Sequence, residues 1–213
     1  LGVEQVDLTL LHAPPCVPDA PWTESCVGHP AQDLVYPRDA DCSDPEPCGM
    51  IQQQWKALEE VFEAGKTRAI GVANYCEPCL RCIEQVAKVT PHVNQLYLHV
   101  GMGADPWGLM GASSRRGIHV QAYRPLANGE WGSVLKNPAV NDVARARGKS
   151  SAQVSLKWVV QLGHSVATST ESVKHMVGDL ELFGWNLTKA EVQRLSDSRE
   201  GGDDPAGGMC RHS

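Results

Sequence analysis

The chain has 213 residues, 42% of them hydrophobic, and 19 Lys and Arg against 25 Asp and Glu give a formal charge of −6. That balance argues against a general nucleic-acid binder, which presents a basic surface, and no apolar run reaches the roughly 18 residues of a membrane-spanning helix. The apolar content, with 14 Pro and 20 Gly, fits a folded, loop-containing chain long enough for one ordinary core.

No basic n-region or A-x-A site follows Leu1, so no targeting peptide is read there. Val6–His12 reads as a buried strand stopped by Pro14 and Pro15. A Cys- and Pro-rich insertion loop occupies 14–49. Ile51, Trp55, Leu58 and Phe62 then recur at helical spacing, and Gly65 stands where a helix should stop. Ala69–Asn74 is a second strand, and Leu80, Ile83 and Val86 mark a helix ending before Pro91. Val93–His99 is a third strand, Pro106–Arg116 a helix, and Ile118–Tyr123 a fourth strand after Gly117. Asn137–Arg147 is a short helix. Ser150 and Gln153 form a capping box opening the next, which carries Val154, Trp158 and Leu162. Trp55 and Trp158 lie on apolar faces and are expected in the core. Ser165–Thr168 is a fifth strand. Helices at Ser172–Leu182 and Thr188–Ser196 follow, the second opened by the box Thr188 to Glu191. The Gly- and Asp-rich residues 201–213 are expected to be a flexible tail.

Strands alternate with helices five times, which implies parallel strands joined by right-handed crossovers. The fold is either an open doubly wound sheet or part of a (β/α)8 barrel. No G-x-G-x-x-G follows a strand, and neither a G-x-S-x-G elbow nor a phosphate-cradling loop with Lys is present.

Of eight cysteines, Cys16, Cys26, Cys42 and Cys48 fall in the insertion loop. Disulfides within the loop would order a segment with little core of its own, with three pairings open. Such bonds lean towards an oxidising lumen. Cys76, Cys79 and Cys82 permit a metal or redox site by spacing, but no Cys or His pair completes a zinc pattern, so no metal is assigned. A thiolate at a helix start suits a redox role; the plainer reading is that one of these cysteines caps or staples the adjacent loop.

The stretches Leu1–His12, Trp55 to Glu60, Gly65–Asn74, Val93–Gln95, Gly117–Leu126 and Ala152–Trp158, in that order, resemble the aldo-keto reductases over about residues 1–200. The resemblance implies a (β/α)8 barrel that binds NADP(H) and reduces aldehydes or ketones, with Val6–His12 as its fourth strand. The fold expected here is therefore α/β, an incomplete TIM barrel of about five parallel strands. Of the family's catalytic tetrad only His12 has a counterpart; the Asp, Tyr and Lys have none. His12 is either a catalytic remnant or a polar strand-end residue. Asn74 and Gln95 match residues that hold the nicotinamide carboxamide, although both could instead satisfy strand backbones. Ala73 replaces the Ser beside Asn74. Tyr123 matches the ring that stacks on the nicotinamide, and Arg124 replaces its neighbouring Ser. At the Lys-Ser and Arg that clamp the 2′-phosphate stand Ser169, Thr170 and His175, and Gly178 and Asp179 replace a Glu-Asn pair. Weak or absent NADP(H) binding follows.

Two function classes emerge. One is a non-catalytic, reductase-derived subunit with a structural role in an assembly. The other is an NADP-dependent aldehyde or ketone oxidoreductase whose first strands lie outside this sequence. A thiol-redox module on Cys76 and Cys79 is a third reading. Under either of the first two, a protein partner or an N-terminal segment must cover the barrel edges, and inner faces such as Leu8, Leu10, Ile70, Val72 and Val120 would otherwise lie open. The compartment is left open, with the cytosol as the family default.

Overall fold

The computed structural model describes residues 2–14, 45–127 and 134–199. The expectations for Cys16, Cys26, Cys42 and the tail lie outside them. Strands β1 (Thr9–Leu11), β2 (Ile70–Ala73), β3 (Val93–Tyr97), β4 (His119–Tyr123) and β5 (Ser165–Ala167) form one parallel sheet in chain order. Thr9 pairs with Ile70, and Gln121 with Ser165. Between and after the strands lie α1 (Pro45–Glu63), α2 (Glu77–Glu84), α3 (Leu109–Arg115), α4 (Pro138–Arg147), α5 (Ser151–Gln161), α6 (Val173–Leu180) and α7 (Lys189–Asp197). No helix among the described residues is long and apolar enough to cross a membrane. The chain clusters into two compact units, one reaching Asn94 and including Arg115–Ile118, the other formed by Gln95–Ser114 and the residues from His119.

In the first unit, α1 begins earlier than its apolar spacing suggests. Pro45–Gly49, read as the end of the insertion loop, are already helical, because proline is tolerated in a first turn. The helix ends as expected: Gly65 adopts φ +69°, its N–H donates to Phe62 O and that of Lys66 to Val61 O, the paired bonds of a Schellman stop. Ile51 and Trp55 are fully buried. The Trp55 indole donates to Glu59 Oε1 at 3.2 Å, and the same oxygen accepts the backbone N–H groups of Lys88 at 2.7 Å and Val89 at 2.8 Å. A disulfide joins Cys48 to Cys82 with Cα atoms 5.4 Å apart. Cys48 therefore does not pair within the loop. Helical spacing turns it onto the buried side of α1, with Ile51 and Trp55, and toward α2. Cys82 thus ties α2 to α1 and not to a loop.

The open inner faces are also corrected. Ile70 and Val72 are fully buried and Val120 is 2% exposed, while Leu8 and Leu10 are half-buried. Strand β2 is covered on both faces, as central parallel strands are. Gly71 lies in it under a tight constraint: a Cβ there would stand 2.4 Å from Val93 O and 2.8 Å from Leu10 Cδ2. Strand β1 is shorter than expected, since Val6 makes only an isolated bridge to Thr67.

The second unit is built around Leu96, Leu98, Val140, Val154, Leu156, Trp158 and Leu195, all essentially inaccessible. The helix expected over Pro106–Arg116 is broken. Trp107 takes φ +56°, and α3 starts only at Leu109, where Asp105 Oδ1 accepts the N–H of Met110 at 2.8 Å. Both capping boxes form, at Ser150 with Gln153 and at Thr188 with Glu191. Helix α6 buries none of its residues; Val173, Met176, Val177 and Leu180 are all exposed, as is Phe183 beyond it. The apolar surface left open thus lies on α6 rather than on the faces of β2 and β4.

Glu191 also accepts Arg147 Nε at 2.8 Å. Bonding to Arg147, then to Thr188, pulls its carboxyl from 4.5 down to about 2. A folded value below the unfolded one stabilises the fold above pH 4.5, and that contribution is lost as pH falls towards 2. Because the carboxyl is half-buried at the surface and still screened by solvent, its worth is about 1 kcal/mol. Urea midpoints of the unmodified chain and Glu191→Gln are expected to differ at pH 6 and to converge only as the pH falls to about 2.

Candidate active site

Parallel β/α arrays place their chemistry where the strands end. His12 follows β1 and is exposed, and its carbonyl accepts Asn74 Nδ2 at 3.0 Å. Asn74 follows β2, is 3% exposed and has φ +62°, a left-handed conformation that asparagine tolerates better than most residues. Its amide nitrogen is thus used on backbone, the plainer of the two expectations. The non-glycine residues with positive φ among those described are Asn74, Trp107, Arg124 and Ala127. All four lie in segments leaving the C-terminal end of a strand. Such strain concentrates at functional sites.

Tyr75, the next residue, is fully buried, and its hydroxyl has no hydrogen-bond partner among the described residues. Burial pushes its phenol up, away from ionisation. An unsatisfied buried hydroxyl costs about 1–3 kcal/mol. Tyr75→Phe is therefore expected to raise stability by about 1 kcal/mol, measured as a shifted denaturant midpoint at unchanged slope.

In the second unit, alternate residues of β3 and β4 face the same half-open side: Gln95 and Tyr97 on one strand, Gln121 and Tyr123 on the other. Gln95 Nε2 donates to Gln121 Oε1 at 2.5 Å. Gln95 therefore bonds a neighbouring side chain, and its remaining oxygen is an acceptor. The Tyr97 and Tyr123 rings stack with centroids 5.6 Å apart, and Tyr97 meets the buried His99 edge-on at 5.0 Å. Gln121, Tyr97 and His99 escape a motif-based reading. The period-2 alternation from Gln95 and from Tyr123 points to the first two; no sequence signal marks His99.

Ser169, Thr170, His175 and Asp179 lie between the end of β5 and the last turn of α6. Thr170 Oγ1 stands 3.5 Å from His175 Nδ1 and accepts the Ser172 N–H at 3.1 Å. Ser172 Oγ caps α6 by accepting the His175 N–H at 3.4 Å. Burial raises the Asp179 carboxyl, and attraction to His175 opposes that rise. A cleft of about 770 Å³ elsewhere on this unit, lined by Lys136, Asn141, Arg145 and Lys149 among others, contains none of these residues.

The thiol-redox reading does not survive the geometry. Cys76 and Cys79 are 1% and 0% exposed. Their sulfurs touch at 3.3 Å without being bonded to each other, and neither is a free thiol. Redox chemistry requires access.

The arrangement is a parallel β/α array of the kind found in (β/α) barrels. The aldo/keto reductase family model matches residues 1–200, and the chain belongs to that family. It is 32% identical over 200 residues to D-galacturonate reductase of Fragaria ananassa, an alignment covering 92% of this chain and 57% of that protein. The chain spans about 57% of the length of the curated relatives it matches. Among solved structures, an aldo-keto reductase from a deep-sea metagenome library superimposes with a TM-score of 0.74 at 21% identity, over 95% of this chain and 62% of that one. A variant of the protein Gox0644, solved in complex with NADPH, gives 0.73 at 24% identity over 98% and 65%.

Proposed function

We propose that this chain supplies part of the active site of a nicotinamide-dinucleotide-dependent aldehyde or ketone reductase. The observation that carries the reading is the half-open side shared by β3 and β4, where Gln95 bonds Gln121 and the Tyr123 ring stacks on Tyr97. Amide groups and aromatic rings on one side of a sheet suit a nicotinamide, whose carboxamide donates hydrogen bonds and whose ring stacks. The bound dinucleotide would supply the hydride. In the first unit, Asn74 and His12 occupy positions that match the family's carboxamide ligand and its remaining tetrad residue.

The alternative, a non-catalytic subunit, rests on the missing Asp, Tyr and Lys. The relatives, which carry reductase names, favour the enzyme. Strands β1 and β5 stand at the two edges of the sheet. The remainder of such an enzyme's barrel is their proposed cover.

The test uses the polypeptide made from the complete transcript, assayed for loss of NADH or NADPH absorbance with a panel of aldehydes and ketones. Turnover is expected, with Gln95→Ala and Tyr123→Ala weakening dinucleotide binding and His12→Ala lowering kcat on the order of 10²-fold. No turnover with any carbonyl compound would restore the non-catalytic reading.

A further inference from the structure

We propose that this chain selects the dinucleotide without a 2′-phosphate, NAD(H), and that Ser169, Thr170, His175 and Asp179 are the residues that disfavour NADP(H). This rests on the reductase reading above and narrows it.

A ribose 2′-phosphate is close to doubly charged and is held by fixed cations through charge-assisted, often bidentate bonds. Neither position that would carry those cations does so. Ser169 is a short neutral hydroxyl. His175 is an imidazole, which unlike a guanidinium is not a permanent cation. Its Nδ1 faces the Thr170 hydroxyl at 3.5 Å. The Thr170 oxygen already accepts the Ser172 N–H, and Ser172 caps the helix at the His175 N–H. The local donors are thus partly spent on ordering the turn.

The charge that is present has the wrong sign. Asp179 lies one helical turn beyond His175 on α6, half-buried and near enough for the two side chains to attract each other. A half-buried carboxylate disfavours a neighbouring phosphate, but it accepts a hydrogen bond from a ribose hydroxyl, the contact that marks NAD sites in other folds. Lys174 is the neighbouring cation. It precedes His175 by one residue, about 100° around the helix, and is exposed. Each charge-assisted bond lost to a phosphate is a factor of about ten or more in affinity. With both fixed cations replaced and a carboxylate added, the preference should turn to the neutral ribose diol.

The experiment is a titration of the 213-residue chain with NADH and with NADPH, followed by tryptophan quenching and calorimetry. NADH is expected to bind about tenfold tighter or more. The double variant S169K/H175R should reverse that order, and Asp179→Asn should narrow the gap by raising NADPH affinity several-fold. Circular dichroism and melting curves establish that each variant is folded, and D179N serves if the double variant is not. Tighter binding of NADPH by the unmodified chain overturns the inference; if Lys174→Ala then abolishes it, Lys174 is the phosphate's cation. A gap unmoved in both folded variants overturns it as well. Equal, saturable binding of both dinucleotides defeats this inference and leaves the reductase reading standing. Failure of either to saturate brings down both.

Discussion

Incubated with NADH or NADPH and reactive aldehydes, the 213-residue chain alone is expected to consume no reduced nucleotide above background. Hydride transfer to a carbonyl leaves an alkoxide that must gain a proton. A positioned donor for that step is typically worth ~10²–10⁴-fold in rate. The family's Tyr, with its Asp and Lys, has no counterpart in these residues. Among the described residues, two phenols are otherwise engaged. Tyr75 is buried and held in its protonated form, and Tyr123 is stacked on Tyr97. The assay is absorbance at fixed nucleotide with His12→Ala and Tyr123→Phe in parallel. A background-corrected rate that falls in either variant would contradict the expectation.

The second large effect is structural. Glu59→Ala is expected to destabilise the first unit by about 3 kcal/mol, whereas Glu59→Gln should cost roughly 1 kcal/mol. One buried oxygen serves three donors, Trp55 Nε1 and the N–H groups of Lys88 and Val89. Alanine strands all three; glutamine keeps an acceptor of the same reach and loses only the charge. Urea unfolding followed by tryptophan fluorescence measures both. Equal midpoints for the two variants would mean that packing, and not the shared oxygen, fixes this corner. The assay needs the Cys48–Cys82 bond intact, since that disulfide closes the same pair of helices.

Local rules were legible in the sequence and long-range ones were not. The boxes at Ser150 and Thr188, the stop at Gly65 and the burial of Trp55 and Trp158 are each set within a turn or two of chain, and all appear as expected. The break at Trp107 depends on Asp105 reaching five residues ahead, which apolar spacing does not register. The partner of Cys48 lies 34 residues away, and the loop's composition drew attention to nearer cysteines. Of the site, His12, Asn74, Gln95 and Tyr123 were reached through motifs. Gln121 was not, because its importance exists only once β4 lies beside β3 and the two amides meet. Val120, expected to lie open, is buried, because it alternates with Gln121 along β4 and the residues packed over it come from distant chain.

Gly71 bears on how inherited changes in this chain should be weighed. A methyl group there would overlap a main-chain oxygen on the next strand, which no rotamer change can move aside. Among coding variants of this chain, an alanine at 71 would look conservative by residue size. It would nonetheless force two strands apart at the centre of the first unit. Such a variant is expected to destabilise the first unit more than many bulkier changes on the exposed helix α6.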